Sequence, residues 1–533
     1  MPNRKVISYD DFSGGDYGIL EPWRAPPGTW TGKNMVLYDD GGLGPRNGMF
    51  EVPLTGDTTN FLGEILSTGA YSLRTASSLW AILDNSGTRR VFTIDVDGVV
   101  DAVTAVDAVP AIVEPVQSIV YENTEYLSIV AAGLYTIEGG NFTKLAEGPG
   151  SRCIAQYGER FVAGGGTGCL TPTGTASPMN RLWYSEPADP TDWPSLNFID
   201  FTGAIVGLYP QRTHLVVATT EGWWILTGVP GITDVLRRQS KSEFPTWPTQ
   251  ATILEPSCDL AFVHGSLQQR DGEDEGEIAV HSLGRFTGST IEYASHLPFG
   301  SGQNYLTVPP TYSANTLRGP EDWFVQGGVD TAPNRAMLQR NGAWHKIEWE
   351  IPEVDLTGWA VTMRRTDRHQ FWSTSTTGTA PRLFEWMAYN NRPAFVSDVR
   401  KQPGDDSTTP FDAEFTLPEF HEPTGFDIGL VDIVVDFTTW NTGAATTNHF
   451  EIVPTVLRAF GETDPQTGNT ITFDEAGSES AATLQGTRRR KRFSAVARNL
   501  DGTGYQLKFQ NIRGCKIDRV QALIDVAGPR VGD

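Results

Sequence analysis

The chain has 533 residues, with Gly 56, Pro 34, 39% hydrophobic and 20% charged side chains, and a formal net charge of −23. That hydrophobic share excludes wholesale disorder. Glycine and proline, together about one residue in six, favour turns over long helices, and no three-residue glycine period is present, which excludes a collagen. The acidic excess opposes nucleic-acid binding over the whole surface, because neutralising phosphate needs clustered Lys and Arg.

The first residues, Met-Pro-Asn-Arg-Lys, lack the apolar core of a signal peptide. No stretch approaches eighteen apolar residues, so synthesis in the cytoplasm without membrane insertion is expected. Residues 11–50 read DFSGGDYGILEPWRAPPGTWTGKNMVLYDDGGLGPRNGMF. Pro22, Pro26 and Pro27, with Gly14, Gly15 and Gly28, exclude a regular helix or a central strand. Residues 1–50 are therefore predicted as an extended arm with sharp turns, its aromatics Phe12, Tyr17, Trp23 and Trp30 available to pin it to another surface.

From about residue 51 strand signals dominate. HLVVATTEGWWILTG at 214–228 is a hairpin around Glu221-Gly222, and YENTEYLSIVAAGLYTIEG at 121–139 is another. Asp97-Gly98 supplies turn chemistry between Ile94 and Val99. Paired bulky residues recur, with second members Trp80, Tyr135, Trp183, Trp224, Phe324 and Trp372. The widest gap leaves room for one more at Ile278-Ala279. A period of about 50 residues suits one four-stranded propeller blade. A small sheet cannot bury both faces alone, and radial stacking buries them while leaving short edges. A six- or seven-bladed β-propeller is predicted over residues 51–400.

KQPGDDSTTP at 401–410 reads as a linker. Beyond it alternation is clean: Val431, Ile433, Val435 and Phe437 on one face, then Tyr505, Leu507 and Phe509, then Val520, Ala522, Ile524 and Val526. Period two with one apolar face predicts antiparallel sheets packed on one side. A β-sandwich is placed at 405–533. The fold class is thus all-β.

Three stretches together carry a resemblance. Phe12-Ser13-Gly14-Gly15 is followed by the spaced prolines Pro22, Pro26 and Pro27, by Asn34 opening a short strand, and by a Gly-Gly-Leu turn at Gly42 leading to Arg46-Asn47-Gly48. RLWYSEPADPTDW at 181–193 precedes GAIVGL and the 214–228 hairpin, and the C-terminal sandwich ends in a strand containing Ile517-Asp518-Arg519-Val520. This order resembles tail proteins of tailed bacteriophages, in particular the nozzle (tail tubular protein B-like) proteins of short-tailed phages. The resemblance implies a structural virion protein of the tail, not an enzyme. It implies a ring of six copies below the head–tail adaptor or connector, a platform for tail fibre or spike proteins, and a channel for transient, non-specific passage of double-stranded DNA. Phe12, Gly14, Gly15, Pro22, Pro26, Pro27, Asn34, Gly42, Arg46 and Gly48 are its motif and assembly residues. An acidic lumen repels phosphate, which fits the −23 balance. A receptor-binding or baseplate propeller and a propeller glycoside hydrolase are the competing classes.

Arg488-Arg489-Arg490-Lys491-Arg492 is a strong basic run. It reads as a solvated sheet edge blunted against aggregation, as a subunit contact, or as a DNA contact. The acidic run at 271–277 has Ser282 at the twelfth position of a would-be calcium loop, so the EF-hand rule fails. The eight histidines form no H-E-x-x-H, and the four cysteines form no C-x-x-C. No catalytic residue, metal site or cofactor is predicted.

Overall fold

The computed structural model describes residues 3–16, 28–38, 40–46, 49–72, 77–95, 97–114, 116–210, 213–230, 235–238, 260–269, 277–286, 291–295, 316–318, 323–326, 335–340, 343–348, 356–365, 368–373, 377–386, 405–406, 409–410, 413–421, 426–439, 451–458, 487–494, 504–513 and 515–529. Every regular element among them is a β-strand.

Among the described residues, seven mainly antiparallel sheets succeed one another along the middle of the chain, and each is made almost wholly of consecutive strands. Blade 1 runs Glu64–Ser72, Ser77–Asn85, Thr88–Ile94 and Val99–Ala102, with Thr55–Gly56 parallel on its outer edge. Blade 2 runs from Gln117–Tyr121 to Asn141–Lys144, blade 3 from Cys153–Tyr157 to Phe198–Asp200, and blade 4 from Ile205–Pro210 to Val235–Arg238. Blade 5 has three described strands between Leu260–Gln269 and Ile291–Ser295, and blade 6 runs from Thr316–Arg318 to Ala343–Glu348. Blade 7 has Leu356–Arg365, Arg368–Ser373 and Leu383–Trp386, and its outer strand is Met49–Val52 from near the N-terminus. The protein is a β-propeller whose ring is closed by that borrowed strand. Arg382 Nε donates to Glu51 Oε1 at 2.9 Å and its Nη2 to Glu51 Oε2, which latches the closure.

Apolar faces of adjacent blades supply the core. Trp80, Ile82 and Val91 of blade 1 pack with Leu127, Ile129 and Tyr135 of blade 2. Tyr126 and Leu134 of blade 2 pack with Phe161, Ala163 and Trp183 of blade 3, and Cys153 and Val162 of blade 3 with Leu215 and Val217 of blade 4. Phe61, Leu79 and Phe92 meet Trp372 and Leu383 of blade 7, where chain ends join. The bulky pairs that recur in the sequence mark the blades: Trp80 is on the second strand of its blade, Tyr135, Trp183 and Trp224 on the third, Phe324 and Trp372 on the second again. Ile278-Ala279 falls on the second strand of blade 5. The change of strand between blades contributes to the uneven spacing.

Among the described residues, the C-terminal region holds two six-stranded sheets, besides a short ladder of Asp405–Asp406 with Thr409–Pro410. In the first, Cys515–Pro529 is central, paired on one side with Phe426–Thr439 and on the other with Asn3–Tyr9 and Leu43–Pro45; Thr487–Ser494 is an edge. In the second, Gly504–Arg513 is central between Glu451–Arg458 on one side and Glu414–Thr416 and Phe420–His421 on the other, and Thr29–Lys33 pairs with Glu414–Thr416. Residues of both sheets form one core that includes Trp30, Phe415, Ile433, Val435, Leu507, Phe509, Ala522 and Ile524. The predicted alternation shifts at one place. Leu430 takes the core position instead of Val431, because a bulge between Leu430 and Asp432 inserts one residue and flips the face.

The described parts of residues 1–50, predicted as an extended arm, are built into the sheets of both regions. Asn3–Tyr9, Gly15–Asp16, Thr29–Lys33, Met35–Leu37 and Leu43–Pro45 are strands of the two C-terminal sheets, and Met49–Val52 belongs to blade 7. Extended backbone with alternating apolar residues satisfies its hydrogen bonds best by joining a sheet.

Candidate interaction site

Two features gather the predicted site residues. The first is a clasp between sandwich and propeller. Phe12 is buried in the sandwich core, edge-on to Phe415 at 6.1 Å between ring centroids. Its carbonyl accepts from Trp30 Nε1 at 3.1 Å. The turn behind it is held by Gly14 N–H donating to the Gly28 carbonyl at 3.0 Å and by Gly15, whose φ of 70° is in the left-handed region. Trp30 is fully buried, and its ring lies 5.4 Å from that of His345 on blade 6.

Asn34 and Arg46 complete the clasp. Both are fully buried. Asn34 has φ 58°, a conformation that Asn tolerates better than most side chains. Its N–H donates to the Lys346 carbonyl at 2.7 Å, and its Oδ1 accepts from Glu348 N at 2.8 Å and Arg46 Nε at 2.9 Å. Arg46 Nη2 donates to the Glu348 carbonyl at 2.8 Å, and Arg46 N donates to the Asn34 carbonyl at 2.9 Å. The buried guanidinium is thus hydrogen-bonded, as a charge removed from water must be. Nearby, Lys33 Nζ pairs with Glu348 Oε2 at 3.1 Å. Sequence reasoning missed Lys346 and Glu348, because partners more than 300 residues away leave no local signal. It also missed Gly32: a Cβ there would lie 2.1 Å from the Glu414 carbonyl oxygen and 2.7 Å from Phe415 Cα, so only glycine lets these strands approach.

The second feature is the basic edge strand. Arg488, Arg490 and Arg492 are exposed, while Arg489 and Lys491 are half-buried. Arg490 grips Asp436 with both nitrogens, at 2.6 and 3.0 Å, and Arg519 binds the same carboxylate. The Arg490 guanidinium, helped by Arg519, holds the Asp436 carboxyl below the usual carboxylate range. Arg492 pairs with the buried Asp432. Both aspartates sit on the neighbouring strand in register with the basic run, Asp436 opposite Arg490 and Asp432 opposite Ser494. A cavity of about 600 Å³ opens at the end of this strand. Arg488, Arg489, Arg490 and Arg519 line it from one side, and Asp10, Asp40, Asp436 and Asp518 also face it. Gly42 reaches it too, so the structure brings together Gly42 of the N-terminal motif and the first three residues of the basic run. Gly42 N–H donates to Asp40 Oδ1 at 3.3 Å, and Lys516 bridges Asp40 and Asp518. Burial pushes the Asp40 carboxyl up, but the hydrogen bond and charge of Lys516 prevail and leave it lowered. Pro22, Pro26, Pro27, Gly48 and the acidic residues 271–276 lie outside the described residues.

Among the described residues no group of three or more His, Cys, Asp or Glu side chains converges as a metal would need. Cys153, Cys169 and Cys515 are buried free thiols, and burial pushes the Cys153 thiol up to about 12. Among the described residues no helix is long and apolar enough to cross a membrane.

No family model and no curated protein matches the chain. Among solved structures it is similar to the WD40 domain of Pan2 from Neurospora crassa, at 9% identity over 65% of this chain and 96% of that one, with a TM-score of 0.39. It is also similar to the extracellular domain of a one-component system from B. thetaiotaomicron, at 10% identity over 63% of this chain and 39% of that one, TM-score 0.38. The N-terminal domain of Nup159 is similar at 10% identity over 64% of this chain and 96% of that one, TM-score 0.35.

Proposed function

We propose that this chain is a structural, non-enzymatic subunit of a bacteriophage tail, nozzle-like, repeated six times in a ring around the path of the ejected double-stranded DNA. The virion tail is then its location, after synthesis in the host cytoplasm. A head–tail adaptor and tail fibre or spike proteins are its neighbours.

One observation carries the reading. The motif residues that resemble the nozzle proteins act as one structural unit: Phe12, Gly14 and Gly15 shape the sandwich end of the N-terminal segment, and Asn34 and Arg46 fasten it to blade 6. A subunit that carries load between neighbours needs its two parts fixed in relative orientation, and a buried, hydrogen-bonded joint does that. The charge balance supports the same reading, since DNA leaves quickly only past walls that do not hold phosphate.

The test is an image reconstruction of the phage particle with this protein tagged. A six-fold ring on the tail axis is expected, its lumen richer in Asp and Glu than in Lys and Arg. Peripheral trimers would mean an adhesin instead. Release of reducing sugar from host polysaccharide by the purified protein would mean a glycoside hydrolase.

A further inference from the structure

The chain passes from sandwich to propeller and back again, and the two crossings differ in length. Leu43–Pro45 is a strand of the first sandwich sheet, antiparallel to Met35–Leu37 and paired with Cys515–Pro529 at Ile517. Met49–Val52 is the outer strand of blade 7, antiparallel to Leu383–Trp386, and it closes the ring. Arg46, Asn47 and Gly48 are all that lie between these two strands in the sequence. From Pro45 to Met49 the backbone spans at most ~14 Å. While both strands stay paired, sandwich and blade 7 are held within that reach. The return crossing runs through residues 387–413, between Leu383–Trp386 and Glu414–Thr416, and its length imposes no such limit.

The short crossing is anchored at both ends and in the middle. On the sandwich side Leu43 is fully buried in the core shared by the two sheets, and the Pro45 carbonyl accepts from the Tyr38 hydroxyl at 2.9 Å. In the middle Arg46 holds both Asn34 and the Glu348 carbonyl. Asn34 directly precedes Met35–Leu37, the strand that pairs with Leu43–Pro45, so this pin moves with the sandwich. On the propeller side Glu51 pairs with Arg382, and Val52 is buried with Phe61, Leu79, Trp372 and Leu383 where blades 7 and 1 meet. The sandwich thus grips the outer strand of blade 6, Ala343–Glu348, directly and the outer strand of blade 7 through three residues.

We propose that this short crossing is a strap that couples the position of the sandwich to closure of the propeller ring. Displacing the sandwich draws Met49–Val52 off blade 7, and opening blade 7 releases Leu43–Pro45. Blades 2, 3 and 4 take their outer strands from the residues that follow their own inner strands, whereas blade 7 takes its outer strand from near the N-terminus. That closure is therefore the seam at which a pull from outside the propeller opens it. Coupling between two sites is reciprocal, so each end of the strap biases the other. Shortness is what transmits the movement, because a longer flexible linker absorbs it. A neighbour that binds and shifts the sandwich thereby acts on the propeller ring. The inference stands on the fold alone and is independent of the tail reading.

Amide hydrogen exchange of the full chain, read by mass spectrometry on peptides covering residues 43–52, 383–386 and 515–517, tests the coupling in both directions. Leu43→Ala weakens the sandwich anchor and is expected to speed exchange at 383–386 by ~10-fold. Arg382→Ala weakens the ring closure and is expected to speed exchange at 515–517 by ~10-fold. In both variants Thr124–Ile129 of blade 2 is expected to exchange as in wild type. Both remote effects are expected to vanish when about six Gly and Ser residues are inserted between Asn47 and Gly48, since slack leaves the anchors in place and removes the transmission. The Arg382 side chain is 41% exposed, so its variant decides the matter if Leu43→Ala fails to fold. Unchanged exchange at 383–386 in folded Leu43→Ala overturns the inference, as does unchanged exchange at 515–517 in Arg382→Ala. A remote effect that survives the insertion also overturns it, and so does a rise spread evenly over all blades, which would mean loss of the whole fold and not a signal carried by the strap.

Discussion

In the propeller a strand finds its partner next door in sequence; in the sandwich it finds it at the other end of the chain. Blade 2 pairs Gln117–Tyr121 with Thr124–Ile129 across a two-residue turn. In the sandwich, Asn3 faces Val526 and Tyr9 faces Val520. Among the described strands, the propeller's longest-range pairing is where its ring shuts, through Met49–Val52 on blade 7. Local pairing closes short loops at little entropic cost, whereas joining the two chain ends orders hundreds of intervening residues first. The sandwich therefore depends on the propeller to bring its pieces together, and the N-terminal segment is a shared part of both.

That asymmetry is open to direct attack. The largest effect is expected from deleting residues 1–16, which removes Asn3–Tyr9 from the first sheet and Phe12 from the core. A loss of more than ~5 kcal/mol is expected, from one buried Phe at ~3–5 kcal/mol plus a strand. Calorimetry should show the sandwich transition collapsing while the blades still melt cooperatively. A truncated protein with both transitions intact contradicts the shared-segment picture.

Next comes Arg46→Ala, which strips hydrogen bonds from Asn34 and from the Glu348 carbonyl and opens a buried space at the joint. A cost of ~3–5 kcal/mol is expected. Protease nicking between sandwich and propeller should speed up accordingly; unchanged digestion would show that the clasp does not hold the two parts.

Within the propeller, Glu125 sharpens the contrast. It is fully buried between blades 1 and 2, and Trp80 Nε1 donates to its Oε1 at 3.2 Å. Burial pushes its carboxyl up to about 7, outweighing hydrogen bonds from Ser118 and Trp80. Below about pH 4.5 folded and unfolded chains both carry the proton, so the group is neutral to stability. Between there and pH 7 only the unfolded chain releases it, so stability falls as pH rises. Above pH 7 the full cost of ~3 kcal/mol is present. Glu125→Gln is expected to melt higher than wild type at pH 8 and nearly level with it at pH 4. A difference in Tm that does not change with pH would rule this out.

The smallest effect is expected at the outer edge of blade 3. Arg181 holds Asp200 with two nitrogens at 2.7 and 2.9 Å and lies 3.7 Å from the Phe198 ring centroid. Arg181→Ala should cost ~1 kcal/mol, reduced by salt. A much larger loss would place this pair in the interior economy of the blade rather than on its rim.

The amino-acid sequence by itself determined the strands and their faces. Period-two alternation put Ile433, Val435, Phe437, Leu507 and Ile524 in the core, and the recurring bulky pairs marked one blade each. Both signals are local, because side-chain direction alternates residue by residue and each blade is a chain of hairpins. The basic run was legible as an edge strand for the same reason. Only the tertiary structure decided that residues 1–50 belong to sandwich and blade 7, that Asn34 and Arg46 close on Lys346 and Glu348, and that Gly42 shares a cavity with Arg488. Those pairings join positions hundreds of residues apart, and backbone hydrogen bonds between strands carry no residue code that a single sequence reveals. The bulge that seats Leu430 in place of Val431 belongs with them, since it is set by register against Cys515–Pro529 and not by the residues around it.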